Sequence, residues 1–257
     1  MAMRIQVVGA AGCGPGFPLQ TFLIDGVLAV DAGALGWFDG PDRQAAVRDV
    51  LLTHSHIDHL AGLPVFLDNV YRLAADPPAV HAPGPTLAAL RDHVFNDHIV
   101  PDFVRLSEVY PPFLRLCPVT AGRPFAVGRY EVLAFAVDHT VPTVGYLIDD
   151  GSAAVAVFGD TAPVPAVFAG LAREPRLGAV FLEASFPDAL AGIAEASKHL
   201  TASQFLAAAR AFPPAVAVYA AHVKPRFAAE IAAAVRAAGL PNVRVAEPGQ
   251  TVEVGPR

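Results

Sequence analysis

The sequence has 257 residues, of which 54% are hydrophobic and 16% charged, so it is long and apolar enough to bury a large core as one domain. Its formal net charge of −6 argues against a general binder of nucleic-acid phosphates, because such a protein needs a basic face. The sequence shows neither a signal-peptide pattern nor a long uninterrupted apolar run, so we expect a cytoplasmic protein without a membrane span.

The N-terminal part predicts short strands that lead into a junction between a strand and a helix. Strands are predicted at residues 4–8, 21–24, 27–30 and 49–53. A glycine-rich turn over residues 9–16 separates the first two strands, and Asp31 ends the third, where a carboxylate can hold a metal ligand from behind. A helix is predicted over residues 61–75, because apolar residues recur there at helical spacing.

The strand-to-helix junction carries the sequence T-H-S-H-I-D-H-L at residues 53–60. Positions i and i+2 of an extended turn share a side, so His54 and His56 can bind one metal ion. The start of the helix turns Asp58 and His59 further round, toward a second ion. Without metal, this many polar side chains would be packed together without partners, which is costly. The stretch therefore predicts a metal site.

The remainder of the sequence alternates strands with helices. A strand is predicted at 79–81. The segment at 84–118 differs in composition from the rest and predicts an inserted helix and loop, which is too short to form its own core. Further strands are predicted at 130–137, 143–148, 153–158, 178–182 and 215–219 and within 243–254. Helices are predicted at 164–172, 201–212 and 227–238, the second capped by Thr201. The pattern predicts a single domain over 1–257, with two sheets inside and helices outside.

Polar residues at the ends of the later strands complete a ligand set for two ions. His139 joins His54 and His56 at one ion, and His222 joins Asp58 and His59 at the other. The carboxylate of Asp160 would bridge the two ions. All these side chains are imidazoles or carboxylates, while Cys13 and Cys117 stand apart as free thiols, so zinc is predicted, with manganese or iron as alternatives.

The order H-x-H-x-D-H, His, Asp, His resembles the metallo-β-lactamase fold superfamily over nearly the whole chain. That resemblance implies an α/β fold, the four-layer αββα sandwich, and a dinuclear zinc hydrolase. Four stretches are most similar to class II 3′,5′-cyclic-nucleotide phosphodiesterases: H-V-F-N-D-H-I-V-P-D-F at 93–103, L-E-A-S-F-P at 182–187, S-K-H-L-T at 197–201 and A-H-V-K-P at 221–225. Val100 departs from that family, which commonly has an aromatic residue there. The implied substrate is a small cyclic nucleotide, cAMP or cGMP, hydrolysed to the 5′-monophosphate, and the resemblance also allows a homodimer.

Other functions of the superfamily remain alternatives at this point. The stretches around Glu183, His199 and His222 also resemble ribonuclease Z, which carries an RNA-gripping arm between the ligands equivalent to His139 and Asp160. Here residues 140–159 are mostly taken up by two predicted strands, which, with the acidic charge, disfavours a nucleic-acid substrate. A lactonase or thioesterase would use the same metals, whereas a non-catalytic metalloprotein is disfavoured by the intact ligand set.

The resemblance also implies roles for individual residues. Asp58 would bind metal and orient or deprotonate the attacking water, and His199 would protonate the leaving oxygen while Glu183 holds its other nitrogen. The alternative for His199 is a surface histidine at a helix start. Candidates for substrate contacts are Asn96 and His98, toward the base or ribose, and Lys224, toward the phosphate. Single polar residues on a loop, such as Asn96 and His98, are more often solvated, and Lys224 is equally compatible with an exposed lysine after a strand.

Overall fold

The computed structural model describes residues 2–9, 19–72 and 76–256. The predicted glycine-rich turn lies almost entirely outside the described residues, as do Cys13 and the end of the helix predicted at 61–75. Among the described residues, no helix has both the length and the apolar character needed to cross a membrane.

Two seven-stranded sheets form the centre of the fold. The first sheet contains β1 (Met3–Gly9), β2 (Thr21–Ile24), β3 (Leu28–Val30), β4 (Asp49–Leu51), β5 (Ala79–Pro83), β6 (Arg115–Val119) and β14 (Thr251–Val254). The second contains β7 (Pro124–Val127), β8 (Tyr130–Val137), β9 (Thr143–Asp149), β10 (Ala154–Val157), β11 (Leu177–Glu183), β12 (Ala217–Ala221) and β13 (Val243–Val245). Their orders are β14-β1-β2-β3-β4-β5-β6 and β13-β12-β11-β10-β9-β8-β7.

Each sheet is parallel in one part and antiparallel in the other. Strands β3 to β6 pair in parallel in the first sheet, and β10 to β13 do so in the second. The remaining pairs are antiparallel hairpins, apart from β14, which crosses from the end of the second sheet to pair with β1. Because parallel strands end at the same edge, residues that follow them are gathered on one side of the fold.

Helices cover the outer faces of the two sheets. They are α1 (Pro41–Gln44), α2 (Ile57–Leu60), α3 (Leu63–Val70), α4 (Gly84–Ala89), α5 (Phe103–Val109), α6 (Pro165–Leu171), α7 (Ala191–Ser197), α8 (Ala202–Ala209) and α9 (Ala228–Ala237). Buried Phe22, Tyr146 and Phe181 lie in the core between the sheets, and separate apolar clusters lie under the helices. The predicted αββα sandwich is therefore confirmed.

The structure differs from the prediction in several local elements. Within 84–118, α4 runs into a π-helical turn at Leu90–Val94, α5 follows, and β6 joins the first sheet as an edge strand, so the segment is more than one helix and a loop. Strand β7 and helix α7 were not predicted, because one begins with proline and the other is largely exposed and lacks an apolar stripe. The helix predicted at 61–75 begins only at Leu63 and ends at Val70; it follows Gly62, where a Cβ atom would lie 2.6 Å from the main-chain oxygen of Ala32.

Candidate metal centre

The polar residues singled out in the sequence lie where strands of both sheets end. Asp31 follows β3, and His54 and His56 lie between β4 and α2. His139 follows β8, Asp160 follows β10, Glu183 ends β11 and His222 follows β12. The backbones of Asp31 and His222 are left-handed, with φ of 57° and 50°, a conformation that is uncommon outside glycine and is concentrated at functional sites. The two sheets thus contribute to one site.

The candidate ligands form two groups that share Asp160. The first group is His54, His56, His139 and Asp160, and the second group is Asp58, His59, Asp160 and His222; within each, one ligand atom per residue lies within 4.8 Å of the others. Oδ2 of Asp160 faces the first group, 3.8 Å from His54 Nε2 and 3.9 Å from His139 Nε2. Oδ1 faces the second group, 3.4 Å from His59 Nε2 and 3.5 Å from His222 Nε2. The structure therefore brings the predicted ligands together in the predicted grouping.

Unpartnered polar atoms inside these groups test whether a cation fits. Within the described residues, the buried atoms His54 Nε2, His59 Nε2 and Asp160 Oδ1 have no hydrogen-bond partner. Although His59 Nε2 and Asp160 Oδ1 lie 3.4 Å apart, they do not form a hydrogen bond with each other. Leaving such atoms unpaired is costly, and imidazole nitrogens and carboxylate oxygens are ligands of zinc and similar cations. The cluster is suited to binding divalent metals.

Hydrogen bonds to the imidazole nitrogens that point away from the centre determine which nitrogen of each ring faces it. The Nδ1 atom of His59 is 2.7 Å from Asp31 Oδ2, and that of His139 is 3.1 Å from the main-chain oxygen of Lys198. Thr53 Oγ1 is 3.0 Å from His54 Nδ1. His56 is reversed, since its Nδ1 is the atom near the centre, 3.2 Å from His139 Nε2. Outer partners of this kind orient metal ligands.

The electrostatics of the two groups differ. Burial lowers the pKa of His54 well below its usual value and lowers the pKa of His56 and His139 as well. The first group is thus held neutral, the state in which imidazole binds metal. Burial acts in the same direction on His59, but the carboxylates of Asp160 and Asp31 outweigh it and raise the pKa of His59 well above its usual value. The second group attracts positive charge, which a divalent cation can supply.

Glu183 and His199 form a hydrogen-bonded pair beside the two groups. His199 Nδ1 lies 2.9 Å and 3.1 Å from the two oxygens of Glu183, and 3.9 Å from Asp160 Oδ2. Glu183 also accepts hydrogen bonds from the main-chain nitrogens of Thr161 and Leu200, at 2.7 Å and 3.1 Å. Because Glu183 holds Nδ1, the nitrogen of His199 that can serve a substrate is Nε2. His199 is buried rather than a surface residue at a helix start.

The candidate substrate contacts are less closely tied to the cluster. Asn96 bonds within its own loop, accepting from the main-chain nitrogens of His98 and Ile99 and donating to the main-chain oxygen of His93. In the described part of the chain, no hydrogen bond connects Asn96 or the exposed His98 to the histidine cluster. Lys224 lies nearer, with its Nζ 5.2 Å from the centre of the Phe186 ring, which is itself 5.7 Å from the His199 ring.

We expect Gly33→Ala to disturb the second group, because a Cβ atom there would lie 2.0 Å from the main-chain oxygen of Asp58. That oxygen already accepts a hydrogen bond from Gln20 at 2.9 Å, which limits its movement. The free energy of unfolding should fall by about 1–3 kcal/mol and zinc should bind more weakly, as measured by chemical denaturation and calorimetric titration. In Gly170→Ala, the control, the new Cβ would meet no atom within 4 Å, so neither quantity should fall. A Gly33→Ala protein equal to the wild type in both would contradict the expectation.

Comparison with known proteins identifies the family and the fold. The family model described as a beta-lactamase superfamily domain matches residues 20–237. Among curated proteins, the nuclear ribonuclease Z of Triticum aestivum is 32% identical over 111 residues, a match that spans 42% of the chain and only 58% of the wheat protein. Among solved structures, unliganded yeast PDE1 has a TM-score of 0.78 at 16% identity, covering 98% of the chain and 99% of PDE1. The short form of human tRNase Z has a TM-score of 0.67 at 18% identity, with coverage of 98% and 99%.

Proposed function

Because the chain belongs to the metallo-β-lactamase fold superfamily, whose members include metal-dependent hydrolases, we propose that it hydrolyses 3′,5′-cyclic nucleotides to 5′-monophosphates with two divalent cations, most suitably zinc. The observation that carries the proposal is the Glu183–His199 pair beside the shared carboxylate of Asp160. A sugar alkoxide is a poor leaving group and needs a proton, so an acid placed next to the metal groups favours phosphodiester cleavage over cleavage of a thioester.

Different side chains would carry out different steps of the hydrolysis. Two divalent cations held by the two groups would lower the pKa of a water and would stabilise negative charge on the phosphate. The attacking water would form a bond from its oxygen to phosphorus as the bond between phosphorus and the 3′-oxygen breaks. Asp58, a member of the second group, would orient the attacking water with its carboxylate and accept the proton that the water loses. His199 Nε2 donates the proton that the 3′-oxygen needs.

The second candidate function is a ribonuclease Z-like endonuclease, which the names of the curated relatives favour. An observation from the structure weighs against it. Between His139 and Asp160, residues 143–157 form β9, a turn over 150–153 and the whole of β10, so this part of the chain holds a hairpin where ribonuclease Z carries its arm. We therefore place the cyclic nucleotide first and the transfer-RNA precursor second.

The experiment that separates the candidates is turnover by the purified protein loaded with zinc or manganese. We expect fast hydrolysis of cAMP or cGMP, and its loss in His56→Ala, which lacks one ligand of the first group. Bis(p-nitrophenyl) phosphate, a transfer-RNA precursor with a 3′ extension, a lactone and a thioester are assayed in parallel. Cleavage of the RNA precursor without the cyclic nucleotides would replace the first candidate by the second, and activity on the lactone or thioester alone would refute both.

A further inference from the structure

Ser185 connects the end of β11 to two histidines of the site. Its side chain is fully buried, and its Oγ lies 3.1 Å from the main-chain oxygen of His222 and 3.2 Å from His222 Nδ1. The same atom lies 3.4 Å from His199 Nδ1. A buried serine with three polar neighbours of this kind has few ways to arrange its proton, so its contacts constrain the protons of the neighbouring rings.

The arrangement of donors and acceptors follows from the chemistry of each group. A serine hydroxyl has one proton to donate and can accept up to two hydrogen bonds. The main-chain oxygen of His222 only accepts, so the Ser185 proton goes to it. His222 Nδ1 must then be the donor toward Ser185 Oγ, which requires a proton on Nδ1. His199 Nδ1 donates to the closer Glu183 oxygen, at 2.9 Å, so the main hydrogen-bond partner of His199 is Glu183 and not Ser185.

A proton on Nδ1 leaves Nε2 of the neutral His222 ring with a lone pair. That Nε2 faces Asp58 Oδ2 at 3.0 Å and Asp160 Oδ1 at 3.5 Å. A lone pair and two carboxylate oxygens repel one another unless a cation, either a proton or a metal ion, lies among them. The hydroxyl of Ser185 thereby presents the correct nitrogen of His222 to the second group.

We propose that Ser185 is a positioning residue that fixes His222 with its proton on Nδ1 and thereby sets the affinity of the second group for its cation. The inference rests on the metal centre of the proposed function and is independent of the substrate. Ser185 should act on the second group alone, because the outer hydrogen bonds of the first group are made by Thr53 and Lys198. Changes at Ser185 should therefore affect one cation and spare the other.

The test is a titration of the metal-free protein with Zn²⁺ by calorimetry and with Co²⁺ by absorption spectroscopy. The wild type should bind two ions. Ser185→Ala removes the acceptor for His222 Nδ1, and one of the two ions should bind about 10–100-fold more weakly while the other is unchanged. Ser185→Thr keeps a hydroxyl and should recover most of the affinity. Ser197→Ala is the control, because it also removes a serine hydroxyl bonded to a main-chain oxygen, that of Ile193, outside the two groups.

Several results would overturn the inference. They are wild-type affinity for both ions in Ser185→Ala, an equal loss at both sites, an equal loss in Ser197→Ala, or a wild type that binds a single ion. Nitrogen–proton NMR spectra of the zinc-loaded wild type provide a test that does not depend on the folding of any variant. They should show the His222 proton on Nδ1, and a proton on Nε2 would refute the assignment. A protein that binds both ions but does not turn over cyclic nucleotides would refute the proposed substrate and leave this inference standing.

Discussion

Asp160→Asn is expected to weaken both cation sites at once and to abolish most of the hydrolytic activity. Asp160 is the residue common to the two groups, with one oxygen facing each. The amide keeps the shape of the side chain but removes its negative charge and one oxygen, and it directs N–H groups at imidazole nitrogens. Loss of an outer partner alone costs about 10–100-fold in metal affinity, so loss of the shared ligand should exceed that range.

Metal content after dialysis and calorimetric titration would measure this effect directly, with turnover of cAMP as a second readout. Asp188→Asn is a suitable control, since Asp188 is an exposed aspartate that accepts hydrogen bonds from Ser203 and does not belong to the two groups. The control should retain both ions. A protein with Asp160→Asn that still holds two ions with wild-type affinity would show that Asp160 does not bridge them.

His199→Ala should lower the turnover of cyclic nucleotides by about 10²–10⁴-fold, the usual contribution of a general acid, while the bound metal stays unchanged. The loss should be much smaller for bis(p-nitrophenyl) phosphate, because p-nitrophenolate leaves without needing a proton. The ratio of the two losses therefore tests the role of His199 more sharply than either rate alone. Glu183→Gln should resemble His199→Ala in this ratio but with a smaller loss, because the ring remains and only its charged partner is removed.

Two outcomes would contradict this role. Equal turnover in His199→Ala would remove the residue from the mechanism. An equal loss on both substrates would mean that His199 holds the phosphate or orients the site and does not protonate the leaving group. Because its Nδ1 lies 3.9 Å from Asp160, the metal content of the variant must be measured before the rates are compared.

The sequence was sufficient for the layers of the fold and for the composition of the candidate site, for identifiable reasons. The spacing of His54, His56, Asp58 and His59 is local, so the geometry of a turn and a helix start already separates them into two pairs. His139, Asp160 and His222 could be added because each follows a strand, and strand ends converge at one edge of a sheet.

What the sequence did not reveal depends on contacts between distant segments. Ser185 and Lys198 lie in stretches that resemble a known family, but nothing in the sequence shows that the Ser185 hydroxyl contacts His222 or that the Lys198 main-chain oxygen contacts His139. The reversed ring of His56, which directs Nδ1 inward, is a rotamer choice that spacing does not determine. Asn96 lies in a stretch that resembles the phosphodiesterases and was a candidate substrate contact. Its side chain instead accepts hydrogen bonds from the main chain of its own loop.

The position of β14 has a consequence for the order in which the molecule folds. Strand β14 follows the strands of the second sheet along the chain, yet it completes the first sheet by pairing with β1. The halves of the chain are therefore interlocked, and the first half alone would leave β1 as an open edge available to other chains. Pairing between such distant segments is slow, because the entropy of closing long loops opposes it. Before the second sheet has formed, a cation can meet only the ligands within residues 54–59, because His139, Asp160 and His222 follow strands of that sheet.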